Sequence, residues 1–227
     1  MFVINDPPPP VDAALLDLLA RAEPATIGHF LDLGFMDPDI RATLPDKRVA
    51  GTAVTVRFHG TDSTIVHYAL GKLRPGDILV MDRVGDRRAA AVGGGVCFAA
   101  REAGCRGIII DGMATDIGEI REYGLPVWCR GLSPVTGKRA FQHGEFCVPV
   151  NCGGVVVTPG DAILADENGI LVLKAQDITA IATRAIEMQA AEGPRLARVA
   201  KGEKLPDING TTQKVMEALA AQAKAKG

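Results

Sequence analysis

The stretch that most constrains this 227-residue chain runs from Gly93 to Asp116, GGGVCFAAREAGCRGIIIDGMATD. Three consecutive glycines let backbone N–H groups converge on an anion with no side chain in the way. The pattern that follows predicts a helix over 96–103, whose positive N-terminal end adds to that cradle. Ile108-Ile109-Ile110 then predicts a short buried strand. Asp111-Gly112 predicts a turn that presents Asp116 and its neighbours at the strand's C-terminal edge. Ligands of open α/β sheets bind at such edges. The stretch therefore points to an α/β fold and to a place for chemistry within it.

The flanking sequence supplies the rest of such a fold. Pro7 to Pro10 is a stiff extended lead into an amphipathic helix over 11–22, with Leu15, Leu16, Leu18 and Leu19 as its apolar stripe. A second helix is expected to begin at Ala25 and run through His29 to Leu31. His29 is either a residue facing the cleft or a structural cap. Val49 to Val56 has the period of a strand, and Thr61-Asp62-Ser63 has the composition of a helix cap, with His67 on the next turn. Leu73-Arg74-Pro75-Gly76-Asp77 is a tight turn into a strand over 78–82, since proline fixes one turn dihedral and glycine supplies the other. Downstream, the pattern predicts a helix over 117–123, a strand over 125–130, and two short strands over 146–150 and 153–158. Pro159-Gly160-Asp161 repeats the earlier Pro-Gly-Asp turn, which suggests two similar corners of the sheet system. Asp166-Glu167-Asn168-Gly169 reads as a hairpin turn with solvated acids. A helical region from Asp177 to about Ala200, interrupted at Gly193-Pro194, and a tail helix over 211–223 complete the chain.

Composition excludes several function classes. A hydrophobic fraction of 47% and a charged fraction of 23% are those of an ordinary globular protein, and a net charge of -2 gives no electrostatic case for nucleic acid. No apolar run has the length of a membrane span. MFVINDPPPP has neither a basic start nor an apolar signal core, so the expected location is cytoplasmic, with no membrane partner. The five cysteines are odd in number and none has C-x-x-C spacing, which argues against a disulfide framework or a zinc site. Cys97 and Cys105 read as small buried residues of the helix after the glycines.

Gly93-Gly94, Gly104-x-x-Gly107, Ile108 to Ile110 and Asp111-Gly112-Met113-Ala114-Thr115-Asp116 occur in the order characteristic of one family. Gly124-Leu125-Pro126-Val127-Trp128, followed by Ser133-Pro134, extends the match. In these residues the chain resembles the RraA-like family, which includes the 4-hydroxy-4-methyl-2-oxoglutarate / 4-carboxy-4-hydroxy-2-oxoadipate aldolases, from about Ala25 to Leu173. It departs from that pattern at Thr115, where the family has arginine. It departs again at Gly94, where the aldolases often carry an acid, and at Gly28-His29, where a polar pair is usual. The resemblance implies a layered β/β/α sandwich with flanking helices, assembled as a homotrimer or homohexamer with clefts between subunits. The expected organisation is a lead and helix over 1–24, a core domain over 25–175, and a C-terminal helical extension over 176–227 at subunit contacts.

The implied chemistry is divalent-metal-dependent retro-aldol cleavage of a small-molecule 4-hydroxy-2-oxo acid to pyruvate, with oxaloacetate decarboxylation as a side activity. Mg²⁺ or Mn²⁺ suits this, because hard cations keep water ligands and exchange them for substrate oxygens. Asp116 is the expected metal carboxylate. Backbone N–H groups around Gly93, Gly94, Gly95 and Val96 are expected to hold a substrate oxygen. Glu192 best matches the glutamate that a neighbouring subunit delivers in the aldolases, and its other reading is an exposed helix acid. Thr115 offers one neutral hydroxyl where arginine would make a charge-assisted bond, a difference of about 1.5 to 3 kcal/mol. Three accounts of that change stand open: Arg83, Arg87, Arg88 or Arg130 replaces the missing charge, the substrate is less anionic, or the site has lost this reaction. The resemblance also implies a second class, a non-catalytic protein that binds and regulates a ribonuclease.

Overall fold

In the computed structural model, which describes residues 1–225, the period-two pattern of the central strands sets the architecture. From the N-terminus the chain forms β1 (Phe2–Ile4), α1 (Ala13–Ala20), α2 (Pro24–Ile27), β2 (Arg41–Ala42), β3 (Val49–Arg57), α3 (Thr64–Leu70), β4 (Asp77–Asp82) and β5 (Ala90–Val92). There follow α4 (Gly94–Glu102), β6 (Gly107–Asp111), β7 (Met113–Ala114), α5 (Ile117–Tyr123), β8 (Val127–Cys129), β9 (Gly131–Leu132) and β10 (Gly144–Phe146). The remainder comprises β11 (Val150–Cys152), β12 (Val155–Val157), β13 (Ala162–Asp166), β14 (Gly169–Leu173), α6 (Ile178–Ala200), α7 (Leu205–Ile208) and α8 (Thr211–Ala225).

Strands β3, β4, β6 and β8 lie side by side and parallel, with α3, α4 and α5 in the connections between them. Alternate residues face opposite ways. Val54, Val56, Leu79, Met81, Ile108 and Ile110 pack with Ile65, Val66, Cys97, Ala100 and Ile120 of the three helices. Ala53, Ile78, Val80, Ile109 and Trp128 pack instead against Val150, Cys152, Val157, Ile163 and Ile170 of the β11–β12 and β13–β14 hairpins. Helices thus cover one face and strands the other, which is the layered β/β/α order. Ile78, Leu79, Val80 and Met81 are all fully buried, so β4 is apolar on both faces, as a central parallel strand must be. Each such side chain contributes roughly 1.5 to 3 kcal/mol of burial.

The Pro-Gly-Asp repeat does make two equivalent corners. Gly76 and Gly160 have φ of +90° and +91°, and Asp77 and Asp161 each accept the N–H three residues back, Arg74 at 2.8 Å and Thr158 at 2.9 Å. Both corners abut the same part of β3: Thr52 donates to the Gly76 carbonyl at 3.1 Å and Ala53 to the Asp161 carbonyl at 2.8 Å.

Several local expectations are corrected. The first helix is shorter than 11–22 because Asp12 caps it, accepting from the Ala14 and Leu15 N–H groups. The second is one turn, ended at Gly28. The stretch 146–150 is not one strand. Cys147 has φ of +52°, which separates β10 from β11, and the turn between β11 and β12 is Gly153-Gly154. Asp166 is buried rather than solvated, accepting the Asn168 N–H at 2.8 Å and lying 3.6 Å from Arg48. α6 runs through Pro194 without interruption. The carbonyl that the missing N–H leaves unpaired lies on an exposed stretch, open to solvent.

The chain divides into two compact units, 1–183, which holds every strand, and 184–227, which holds α7, α8 and most of α6. Among the described residues no helix is long and apolar enough to cross a membrane.

Candidate functional site

Asp116 and the glycine triplet meet. Asp116 stands at the head of α5 in the left-handed conformation, φ +53° and ψ +44°, which an aspartate tolerates better than most residues. That conformation turns its carboxylate back onto the start of α4, where Oδ2 accepts the Gly94 N–H at 3.1 Å. The Thr115 hydroxyl donates to Oδ1 at 3.3 Å. The glycines are required by this approach. A Cβ on Gly93 would stand 2.5 Å from Asp116 Oδ2, and one on Gly94 would stand 1.5 Å from Glu119 Oε2. A Cβ on Gly95 would meet nothing within 4 Å, since Gly95 faces open space.

This refines the expected cradle. The Gly94 N–H is engaged by Asp116, and the first bond within α4 runs from the Cys97 N–H to the Gly93 carbonyl at 3.0 Å. The N–H groups of Gly95 and Val96 therefore remain as the orphan donors of the helix start. A cavity of about 200 Å³ opens here, lined by Gly93, Gly95, Val96, Thr115 and Asp116.

Its other wall was not anticipated as part of a site. Ser63, the N-cap of α3, and His67, one turn further along it, together with Ala90 to Val92 of β5 and with Thr136 and Gly137, complete the lining. Ser63 and His67 are four residues apart, the spacing that puts two side chains on one helix face, and this was the signal available in the sequence. The wall is organised by Asp62, which is 4% exposed. Its carboxylate accepts N–H groups from Thr64 at 3.0 Å, Ala140 at 3.1 Å, Gln142 at 2.8 Å and His143 at 3.3 Å, and the Thr64 hydroxyl as well. Burial opposes its ionisation, yet these hydrogen bonds outweigh burial and hold the carboxyl well below the usual carboxylate range. Asp62 is thus more than a helix cap: it ties the loop over 137–143 to the start of α3.

None of the four arginines considered as replacements lines the cavity. Arg83 is 1% exposed, donates to the Gly60 and Ala89 carbonyls, pairs with Asp86 at 3.1 Å and lies over the Phe58 ring. Arg130 is held by Asp111 and, at 2.8 Å, by Asp37, and the bond to Asp111 leads in pushing its pKa still higher. Asp82 and Asp111, at the ends of β4 and β6, secure the second layer: they accept the Asn151 N–H at 3.2 Å and the Gly153 N–H at 2.8 Å.

All five cysteines are buried and free. Burial pushes the Cys97 thiol up to about 12 and Cys105 to about 11, so neither is a nucleophile at neutral pH. His29 is exposed and is not among the cavity residues. Glu192 lies on α6 in the second compact unit, half exposed and 3.7 Å from Arg195.

Among the described residues no three His, Cys, Asp or Glu side chains converge as a metal cage. The cavity offers one carboxylate, Asp116, whose oxygens each accept one hydrogen bond and keep a further lone pair. That donor set suits Mg²⁺ or Mn²⁺, which bind through one or two carboxylates and fill the remaining positions with water and substrate oxygens.

Residues 17–172 match a family model described as RraA-like: Aldolase/RraA. A protein of Halalkalibacterium halodurans is 34% identical over 128 residues, 56% of this chain and 60% of that one, so the chain spans less than two thirds of this relative. The 4-hydroxy-4-methyl-2-oxoglutarate aldolase of Thermus thermophilus is 35% identical over 127 residues, 56% of this chain and 76% of that one. Among solved structures, Streptomyces coelicolor RraAS2 is described as an unusual member of the RNase ES inhibitor RraA protein family. It superposes with a TM-score of 0.73 at 26% identity, covering 82% of this chain and 98% of that one.

Proposed function

Because the chain belongs to the RraA-like family, we propose that it is a carbon–carbon lyase that cleaves a 4-hydroxy-2-oxo acid to pyruvate by a divalent-metal-dependent retro-aldol reaction. The observation that carries this reading is the Asp116 carboxylate turned onto the head of α4 at the mouth of a cavity walled by glycine. Asp116 would hold Mg²⁺ or Mn²⁺. When bound, the ion supplies Lewis acidity to the 2-oxo and carboxylate oxygens and stabilises charge as the enolate develops. The Gly95 and Val96 N–H groups orient the substrate's anionic end at the positive end of α4. Thr115 contributes a neutral hydroxyl, which favours a substrate less anionic at that position than one read by arginine. The same enolate arises when oxaloacetate loses carbon dioxide, so decarboxylation accompanies the mechanism.

The reading extends to assembly. The chain acts as a homotrimer or homohexamer in which Glu192 of one subunit completes the site of the next. Exposed Leu196, Val199, Val215, Met216 and Leu219 in the second unit support a role in contacts between subunits.

The test is pyruvate release from a panel of 4-hydroxy-2-oxo acids and oxaloacetate, with Mg²⁺, with Mn²⁺ and with chelator. Chelator-sensitive release is expected, and Asp116→Asn, which keeps the left-handed turn, should abolish it. Full activity in that variant would remove Asp116 from the mechanism. Similarity to RraAS2 and the threonine at 115 favour one other reading, a ribonuclease-binding protein. No turnover by folded oligomer, with retention of an endonuclease in a pull-down, would decide for it.

A further inference from the structure

We propose that His67 is the catalytic base that takes the proton from the substrate's C4 hydroxyl, an inference that rests on the lyase reading above. Twelve residues line the cavity, and only Asp116 and His67 among them carry an ionisable side chain. Asp116 is engaged with the Gly94 N–H and the Thr115 hydroxyl, and serves as the anionic ligand. Retro-aldol cleavage needs a second group, since the C3–C4 bond breaks only as the hydroxyl at C4 gives up its proton.

His67 is built for that position. It follows Ser63 by one helical turn on α3, and both residues line the cavity. Among the described residues nothing hydrogen-bonds its ring, so the imidazole is free to face a substrate. The loop opposite is fixed: Gly137 donates to the Ala90 carbonyl at 2.9 Å, Lys138 to Thr61 at 2.6 Å, and Ser63 to Lys138 at 2.8 Å. Arg139 therefore leaves the rim between two anchored neighbours, Lys138 and Ala140. His67 is exposed at the cavity, and partial desolvation first, with the Arg139 charge second, lowers its pKa below the ordinary value, so the unprotonated ring prevails at neutral pH. Asp116 and His67 line the same cavity of about 200 Å³, so a molecule held at Asp116 shares that cavity with His67.

The step balances. The O–H bond at C4 breaks with its proton passing to an imidazole nitrogen, the C4–O bond becomes a carbonyl, and the C3–C4 electron pair enters the enolate of the pyruvate half. Solvent then protonates C3 of the enolate and takes the proton from the imidazolium, which gives pyruvate and the second carbonyl product and leaves removal of the hydroxyl proton as the step that depends on His67.

Oxaloacetate provides the discriminating test, because losing carbon dioxide requires no hydroxyl proton to be removed. His67→Gln and wild type are compared in both assays, with circular dichroism and size to show that the variant is folded. Retro-aldol kcat should fall about 100-fold or more, while decarboxylation keeps the greater part of its rate. In wild type the retro-aldol rate should fall as pH drops through the imidazole range, and the decarboxylation rate should not share that limb. Equal losses in both reactions would make His67 a pocket-shaping residue and overturn the proposal, as would no loss in either. A wild-type protein inactive in both assays would overturn the lyase reading itself, and this inference with it.

Discussion

At Gly93 and Gly94 a hydrogen atom in place of a side chain is a steric requirement, and Gly95 differs from both in kind. A methyl group on Gly93 would collide with Asp116 and with the Thr115 methyl, whereas one on Gly95 would project into empty space. Gly93→Ala should therefore destabilise the protein by about 1 to 3 kcal/mol and displace the carboxylate, with loss of turnover. Gly95→Ala should do the reverse to stability, adding up to about 1 kcal/mol because alanine is the better helix residue, while its methyl narrows the cavity and lowers activity. Thermal denaturation and pyruvate release on the same two variants check both halves. The cradle residues were legible in the sequence because glycine next to a helix start is a local signal. The engagement of the Gly94 N–H by Asp116 was not, since it depends on a left-handed backbone that brings residues 22 apart into contact.

Asp62 shows what decides the wall of the cavity at the level of elements. It draws four N–H groups and one hydroxyl onto a single carboxylate, joining the start of α3 to residues 140–143. Asp62→Ala should cost about 3 kcal/mol in denaturant unfolding and speed amide exchange at Ala140, Gln142 and His143. The sign of its pH dependence follows from the lowered pKa. The stabilisation is fully present above the ordinary carboxylate value of 3.8 and is lost as pH falls through the lower folded value. The stability gap between wild type and Asp62→Asn should thus narrow below about pH 4. Strands β3, β4 and β6 could be read from their period and from the Pro-Gly-Asp corners, because each is a local pattern. The uninterrupted α6 and the split at Cys147 could not, because solvent exposure and a single positive φ decided them. His67 went unread as a site residue for a related reason: its significance comes from the loop that closes opposite it.

For the whole molecule, the proposed sharing of sites between subunits has a consequence that no single chain can display. If Asp116 and Glu192 act from neighbouring subunits, then Asp116→Ala and Glu192→Ala proteins, each inactive alone, should regain activity when unfolded and refolded together. Random assembly of equal amounts would leave about a quarter of the sites with both native residues. No recovery from a mixture that forms native-sized oligomers would place both groups in one subunit or remove Glu192 from the site. The way the cavity wall is hung bears on diversification at the same scale. Its outer loop is tied by its main chain, residues 140–143 to the Asp62 carboxylate and Val135, Gly137 and Lys138 to the backbone of Ala90, Thr61 and Ser63, so this fastening does not depend on most of the side chains the loop carries. Apart from Gly137, where a Cβ would stand 3.0 Å from the Ser63 side chain, residues 134–139 should then be exchangeable as a cassette, altering what the cavity accepts while the apolar interior and the Asp116 corner stay as they are. On the proposed function, substrate preference and fold integrity should be separable in this chain, and a library confined to those five positions, scored for stability and for selectivity, tests it.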